Sequence, residues 1–304
     1  MPEPLFRRLT IIGVGLIGSS IARAVKEKGT LAEELLVYDQ SVQVLARVKA
    51  LGIADRVELD VGDAVRDADC VILCAPVGAY AGIAAGIAPH LTQGAIVSDV
   101  GSTKVSVIRD VGPLLPSNVH FVPAHPLAGT EHSGPDAGFA ALFENRWCLL
   151  TPPAGTDPAA IDKIAELWRR CGSSVEVMEP THHDRVVAIV SHLPHLIAFT
   201  ICSTADDLAT EAERTGKDAA THSEVLKYAA SGFRDFTRIA ASDPVMWRDI
   251  FLNNREALLE MLARFTEDSQ AMARAVRWGD AAYIEDKIQR GRGIRQGLIE
   301  LKQA

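Results

Sequence analysis

Six residues limit what this chain can fold into more than any others. Gly13-Val14-Gly15-Leu16-Ile17-Gly18 is a GxGxxG placed between a strand-like run, Leu9 to Gly13, and a helical stretch, Ile17 to Lys28. The first glycine permits a tight turn. The second lets a backbone approach a phosphate, and the third lets helix and strand pack with no side chain between them. Free N–H groups at the start of the helix then form an anion site. The pattern alone is weak, and its strand–turn–helix setting near the N-terminus gives it weight.

The rest of the first half fits that setting. Leu35 to Tyr38, Val71 to Ala75, Ala95 to Val100, His120 to Val122 and Cys148 to Leu150 are short and apolar, as parallel strands buried on both faces are. Helical stretches such as Val42 to Leu51 lie between them. Alternation of this kind predicts an α/β fold, an N-terminal Rossmann-type doubly wound, mostly parallel sheet. After about Pro180 no convincing strand remains. Val186 to Asp206, Trp247 to Ala275 and Asp280 to Leu301 follow helical periodicity, and Thr210 to Ser223 reads as a connection or a frayed helix. The expected division is a dinucleotide-binding domain over 1–179 and an all-α substrate and dimerisation domain over 180–304. A chain of 304 residues, 48% hydrophobic and 23% charged, has apolar material for both.

Asp39 ends the second strand-like run, 21 residues after Gly18. A carboxylate there accepts from the 2′-hydroxyl of NAD and repels the 2′-phosphate of NADP. The plainer reading is an N-cap for the next helix. The expected cofactor is NAD, on Gly13, Gly15, Leu16, Ile17, Gly18 and Asp39. Ala75, Pro76, Asp99 and Ser102, at later strand ends, complete the set, because ligands of open α/β sheets lie beyond the carboxyl ends of the strands.

Four stretches carry candidate chemistry. Ser102, in Asp99-Val100-Gly101-Ser102-Thr103-Lys104, either faces a nicotinamide or caps the following helix, and both roles are compatible. His125, in Ala124-His125-Pro126-Leu127-Ala128-Gly129-Thr130-Glu131, falls after a strand on an extended turn that Pro126 fixes, and is either a candidate general base or a surface histidine. His183, Ser191 and His195 fall within about 120° on one helix face, a polar stripe or a solvated face. Pro194 is expected to kink that helix. Arg234, Arg238 and Arg248 are equal candidates on chemistry alone for a carboxylate clamp. No cysteine or carboxylate spacing supports zinc.

A formal net charge of -8 opposes a broad nucleic-acid footprint. No uninterrupted apolar run of 18 predicts a membrane span, and residues 1–8 lack a signal-type core. Five cysteines without a CxxC fit reduced thiols in a cytoplasm.

With GVGLIGSS, DVGSTK, HPLAGTEHSG, SHLPH and GFRDFTRIAASDPVMWRDI in this order, the sequence closely resembles the prephenate/arogenate (cyclohexadienyl) dehydrogenase family in its monofunctional form, over nearly its whole length. The resemblance implies NAD-dependent oxidative decarboxylation in tyrosine biosynthesis by a homodimer. It implies His125 as the catalytic histidine and Ser102 as a bridge between that histidine, the substrate hydroxyl and the nicotinamide. His183, Ser191, His195 and Arg238 become pocket residues, with Arg238 the carboxylate binder. Thr130, Glu131 and Trp247 become residues that gate or complete the pocket. The rival readings are a two-domain NAD(P) dehydrogenase of the β-hydroxyacid type, with Lys227 as its catalytic lysine, and a non-catalytic NAD-sensing dimer.

Overall fold

The computed structural model describes residues 3–130, 132–216 and 221–300. Strands β1 (Phe6–Ile12), β2 (Ala32–Tyr38), β3 (Arg56–Val57), β4 (Cys70–Leu73), β5 (Ile96–Asp99) and β6 (His120–Val122) pair in parallel in the order β3-β2-β1-β4-β5-β6. The order reverses between β1 and β4, the switch point at which a doubly wound sheet opens a crevice. Neighbouring residues of β4 enter opposite cores. Ile72 joins Leu9, Ile11 and Trp168 on one face, while Val71 and Leu73 join Ile12, Tyr80 and Val97 on the other. Burial on both faces explains why these strands are continuously apolar.

A second sheet departs from the expected single one. β7 (Ala124–Pro126) runs antiparallel to β8 (Trp147–Leu150), which pairs in parallel with β9 (Ser174–Val177). His125 therefore sits on a strand rather than on a turn. Its neighbour Pro126 is tolerated because β7 is an edge strand.

Among the described residues, every element after β9 is a helix. Helix Pro180–Val187 leads into one π-helical turn, Ala188–His192, and then into helix Leu193–Thr215, so the irregularity expected at Pro194 falls just before it. That helix runs on through Thr210 and ends at Gly216, so the first part of the expected frayed stretch is ordered helix. The remainder includes residues 217–220, outside the described residues, and then a capping box of Thr221 with Glu224 that opens helix His222–Tyr228. Polar residues interrupt Pro180–Thr215, yet by length and composition it is apolar enough to cross a membrane, and 28% of its most apolar window is buried.

The chain divides into two compact units, Met1–Arg255 and Glu256–Ala304. The first reaches well past residue 180, where Asp184 accepts from Lys104 N and Val105 N and Asp249 packs closely over Gly78. The second is built on helices Arg255–Trp278 and Ala281–Glu300, which turn at Gly279 and are joined by an ion pair of Lys287 Nζ with Asp268 at 2.9 Å.

Candidate active site

The glycine turn after β1 has the geometry of a phosphate cradle. Gly13 has φ +93°, and a Cβ on it would lie 2.8 Å from the Ala75 nitrogen and the Cys74 carbonyl. A Cβ on Gly18 would lie 2.1 Å from the Gly13 oxygen. At Gly15, by contrast, a Cβ would meet nothing within 4 Å. Two glycines thus let protein pack on protein, and the third leaves room before the first turn of helix Leu16–Lys28. Asp39 is already oriented on this turn, accepting from Val14 N and Ser41 N at 2.9 Å each. The helix after it is capped by Ser41, so the plainer N-cap reading of Asp39 does not hold. Open space before a helix start, with a carboxylate fixed beside it, fits the diphosphate and ribose of NAD.

Beyond the carboxyl ends of the strands a hydrogen-bonded chain leads to His125. His183 Nδ1 lies 2.8 Å from Asp184 Oδ1, and His183 Nε2 lies 2.8 Å from His125 Nδ1. A carboxylate only accepts, so His183 carries its proton on Nδ1 and accepts at Nε2. His125 must then donate from Nδ1, which leaves its Nε2 without a proton and able to act as a base. This tautomer follows from the bonding partners. Burial pushes the His125 imidazole well below its ordinary pKa, and the neighbouring His183, Lys104 and His192 push the same way. His183 is lowered too, chiefly by burial, with Asp184 opposing. The base is therefore free at neutral pH.

Asp184 does a second job. Its Oδ1 accepts from Lys104 N at 2.8 Å and its Oδ2 from Val105 N at 2.9 Å, at the start of helix Val105–Val111. That helix is capped from a different helix, and Ser102 makes no capping bond. Ser102 is half-buried, and no hydrogen bond joins it to His125 among the described residues.

On the far side, His195 donates from Nδ1 to the Ser191 carbonyl at 2.9 Å and stacks on Trp247 with centroids 3.7 Å apart. Phe199 and Phe251 pack around the same indole. Burial lowers the His195 pKa, the Ser191 bond opposes, and the charge of Arg238 lowers it further, so Arg238 lies within electrostatic reach. Arg238 is exposed at the start of the turn Arg238–Ala241.

Two family models match the chain: "Prephenate dehydrogenase, nucleotide-binding domain" over residues 21–177 and "Prephenate dehydrogenase, dimerization domain" over residues 179–290. The chain belongs to the prephenate dehydrogenase family. It is 42% identical over 296 residues to a cyclohexadienyl dehydrogenase of Zymomonas mobilis, covering 97% of each chain. It is 32% identical to a Bacillus subtilis prephenate dehydrogenase, covering 95% of this chain and 76% of that one. A crystal structure of prephenate dehydrogenase from A. aeolicus in complex with hydroxyphenyl propionate and NAD+ superposes with a TM-score of 0.86 at 32% identity, covering 96% and 98% of the two chains.

Two expected contact residues of this prephenate dehydrogenase fold are buried. His183 is 0% exposed, with its ring nitrogens engaged by His125 and Asp184. The Asp99 carboxylate is also 0% exposed and bonded to Lys104, Gly101 and Ala124. Leu16, Ile17, Ala75 and Pro76 lie at the glycine turn and the end of β4, half-buried or exposed. Thr130 is exposed and accepts from His132 N at 3.2 Å, while Glu131 lies outside the described residues. Arg248 is held by its neighbour Asp249. Lys227 lies exposed over the Tyr228 ring, 5.2 Å from its centroid, outside the histidine cluster.

Sequence reasoning missed Lys104, Asp184, His192 and Asn254. Asn254 Nδ2 donates to the Asp184 carbonyl at 2.8 Å and to His192 Nδ1 at 3.1 Å. The signals available were a lysine closing Gly101-Ser102-Thr103-Lys104 and an aspartate directly after His182-His183.

Proposed function

We propose that this chain oxidises and decarboxylates prephenate, arogenate or both with NAD, as a cytoplasmic homodimer in tyrosine biosynthesis. The carrying observation is the Asp184–His183–His125 chain, which leaves an unprotonated imidazole nitrogen at the carboxyl edge of the sheet. NAD, held by residues 13–18 with Asp39 at its ribose, supplies the hydride acceptor. His125 Nε2 takes the proton of the ring hydroxyl as the ring carbon is oxidised, and returns it to the phenolate that carbon dioxide leaves behind. Ser102 orients the hydroxyl. Arg238 holds a substrate carboxylate, and His195 and Trp247 form a wall of the pocket with Ser191. Thr130 and Glu131 close it. The residues mainly align the reacting groups and hold a dianion.

The functional division we propose falls at 179/180, with residues 180–304 supplying the dimer contact. Ile189, Val190 and Leu208 are exposed apolar side chains in that region, suited to a second copy of the chain. The test is NAD reduction by purified protein with prephenate and arogenate supplied separately. Turnover with either supports the reading, and its rate should fall on the acid side only below the ordinary histidine range. Silence with both, while NAD still binds, refutes it.

A further inference from the structure

Among the described residues, one ion pair is wholly enclosed. Lys104 Nζ lies 2.5 Å from Asp99 Oδ2, and both side chains are 0% exposed. Taking two charges out of water costs several kcal/mol per ion, and an apolar pair of similar volume is often as stable. Stability alone is a poor reason for such a pair, so its partners matter.

Those partners converge on one residue. Lys104 Nζ donates to the Ala124 carbonyl at 2.7 Å, and Asp99 Oδ1 accepts from Ala124 N at 3.2 Å. Both backbone polar groups of the residue before His125 are therefore held by the pair. Asp99 Oδ2 also accepts from Gly101 N at 2.7 Å, and a Cβ on Gly101 would lie 2.9 Å from that oxygen. Asp184 meanwhile holds the Lys104 backbone N–H and, through His183, the His125 ring. His125 is thus fixed from its main chain by Lys104 and Asp99 and from its ring by His183.

We propose that the Lys104–Asp99 pair is a positioning device for the proton acceptor, which fixes the strand carrying His125 and sets the pH range over which His125 accepts a proton. This inference rests on the reading of His125 as the base. The charged and titratable groups around that ring are His183 from helix Pro180–Val187, His192 from the π turn, Lys104 from the segment after β5 and Cys148 from β8, with Asp99 and Asp184 behind them. Lys104 is the lysine among them, lowered in pKa by its burial and held charged by Asp99. Its positive charge opposes protonation of the imidazole, in the direction already noted for His125.

The experiment compares pH profiles of kcat/KM for the wild type and the charge-neutral double variant Asp99→Asn with Lys104→Met, which leaves no buried charge unpaired. The expected result is an acidic limb moved to higher pH. A fall in kcat on the order of tenfold to a hundredfold at the optimum should accompany it, because small displacements of a reacting group cost that much. A folded double variant with wild-type limb and kcat overturns the inference. If that double variant does not fold, Asp99→Asn with Lys104→Gln carries the test, with an amide donor left for the Ala124 carbonyl and no buried charge: the limb should move up while kcat is partly kept, and an unmoved limb overturns the inference. His125→Asn is measured alongside. Normal turnover in that variant refutes the base reading itself, whereas an inactive His125→Asn beside a wild-type-like double variant refutes only the role of the pair.

Discussion

Replacing Asp184 by asparagine changes one atom and disturbs three hydrogen bonds. The carboxylate accepts from His183 Nδ1, Lys104 N and Val105 N, the first two at Oδ1 and the third at Oδ2. An amide has one accepting oxygen. If its NH2 group replaces Oδ2, the Val105 N–H loses its acceptor and faces another donor. If it replaces Oδ1, two donors are lost. An orphaned buried donor costs about 1–3 kcal/mol, and bonds to a charged group are worth about 1.5–3 kcal/mol. The loss is therefore about 2–5 kcal/mol, or roughly 4–20 °C in Tm for a unit of this size. If the amide turns its NH2 toward His183, that ring must accept at Nδ1 and donate from Nε2. His125 then accepts at Nδ1 and carries its proton on Nε2, which abolishes the base. A positioned base is worth about 10²–10⁴ in rate, so kcat should fall by that order even where the variant is fully folded. Differential scanning calorimetry gives the first quantity and single-turnover NAD reduction below the Tm gives the second. A variant with wild-type Tm and wild-type single-turnover rate would refute both the trans-capping role and the tautomer argument.

The glycine turn gives a paired prediction. Gly15→Ala should fold with native stability and lose NAD affinity by fluorescence titration, since the added Cβ meets only open space, whereas Gly18→Ala should fail to fold stably because its Cβ would lie 2.1 Å from a carbonyl oxygen. Burial holds the His192 imidazole down to about 4, from an ordinary 6.5. Below 6.5 the unfolded chain takes up this proton and the folded chain does not until about 4, so stability is lost as pH falls through that window, by about 3 kcal/mol at its lower end. His192→Gln should flatten the acid side of the stability curve measured by urea unfolding, and an unchanged slope would count against it. Arg238→Ala should raise the substrate KM strongly and leave NAD binding alone, and an unchanged KM would remove Arg238 from the carboxylate role.

Local features of this molecule were legible in its sequence. Helix Val42–Leu51 has the expected bounds because Ser41 caps its first turn and Gly52 ends it. The parallel strands were recognisable because burial on both faces leaves them continuously apolar. The missed strands lack that mark: β3 is two residues long, and β9 is a largely exposed edge. At β7, Pro126 signals a turn, and only the edge position reconciles it with a strand. The histidines were visible as chemistry, but their division of labour was not. An uninterrupted helix would place His183 beside Ser191 and His195, and nothing in the sequence marks the π turn that lies between His183 and His195. Asp184 reaches a helix start some 80 residues away in sequence, and Lys104 reaches Ala124 from 20 residues away, links that no local pattern encodes.

The π-helical turn at Ala188–His192 has an evolutionary consequence. Such a turn holds one residue more than an α-helical turn, so it behaves as a single-residue insertion that the helix has absorbed. Deleting one residue there would return the segment to regular α winding, and because the turn has already taken up that residue, the helix downstream would keep nearly its present facing. His195 would stay near Trp247, and the loss would fall on the turn itself, whose Ser191 carbonyl accepts from His195 Nδ1. A relative with a one-residue gap in this segment should therefore keep the helix register on both sides and differ at the position of Ser191.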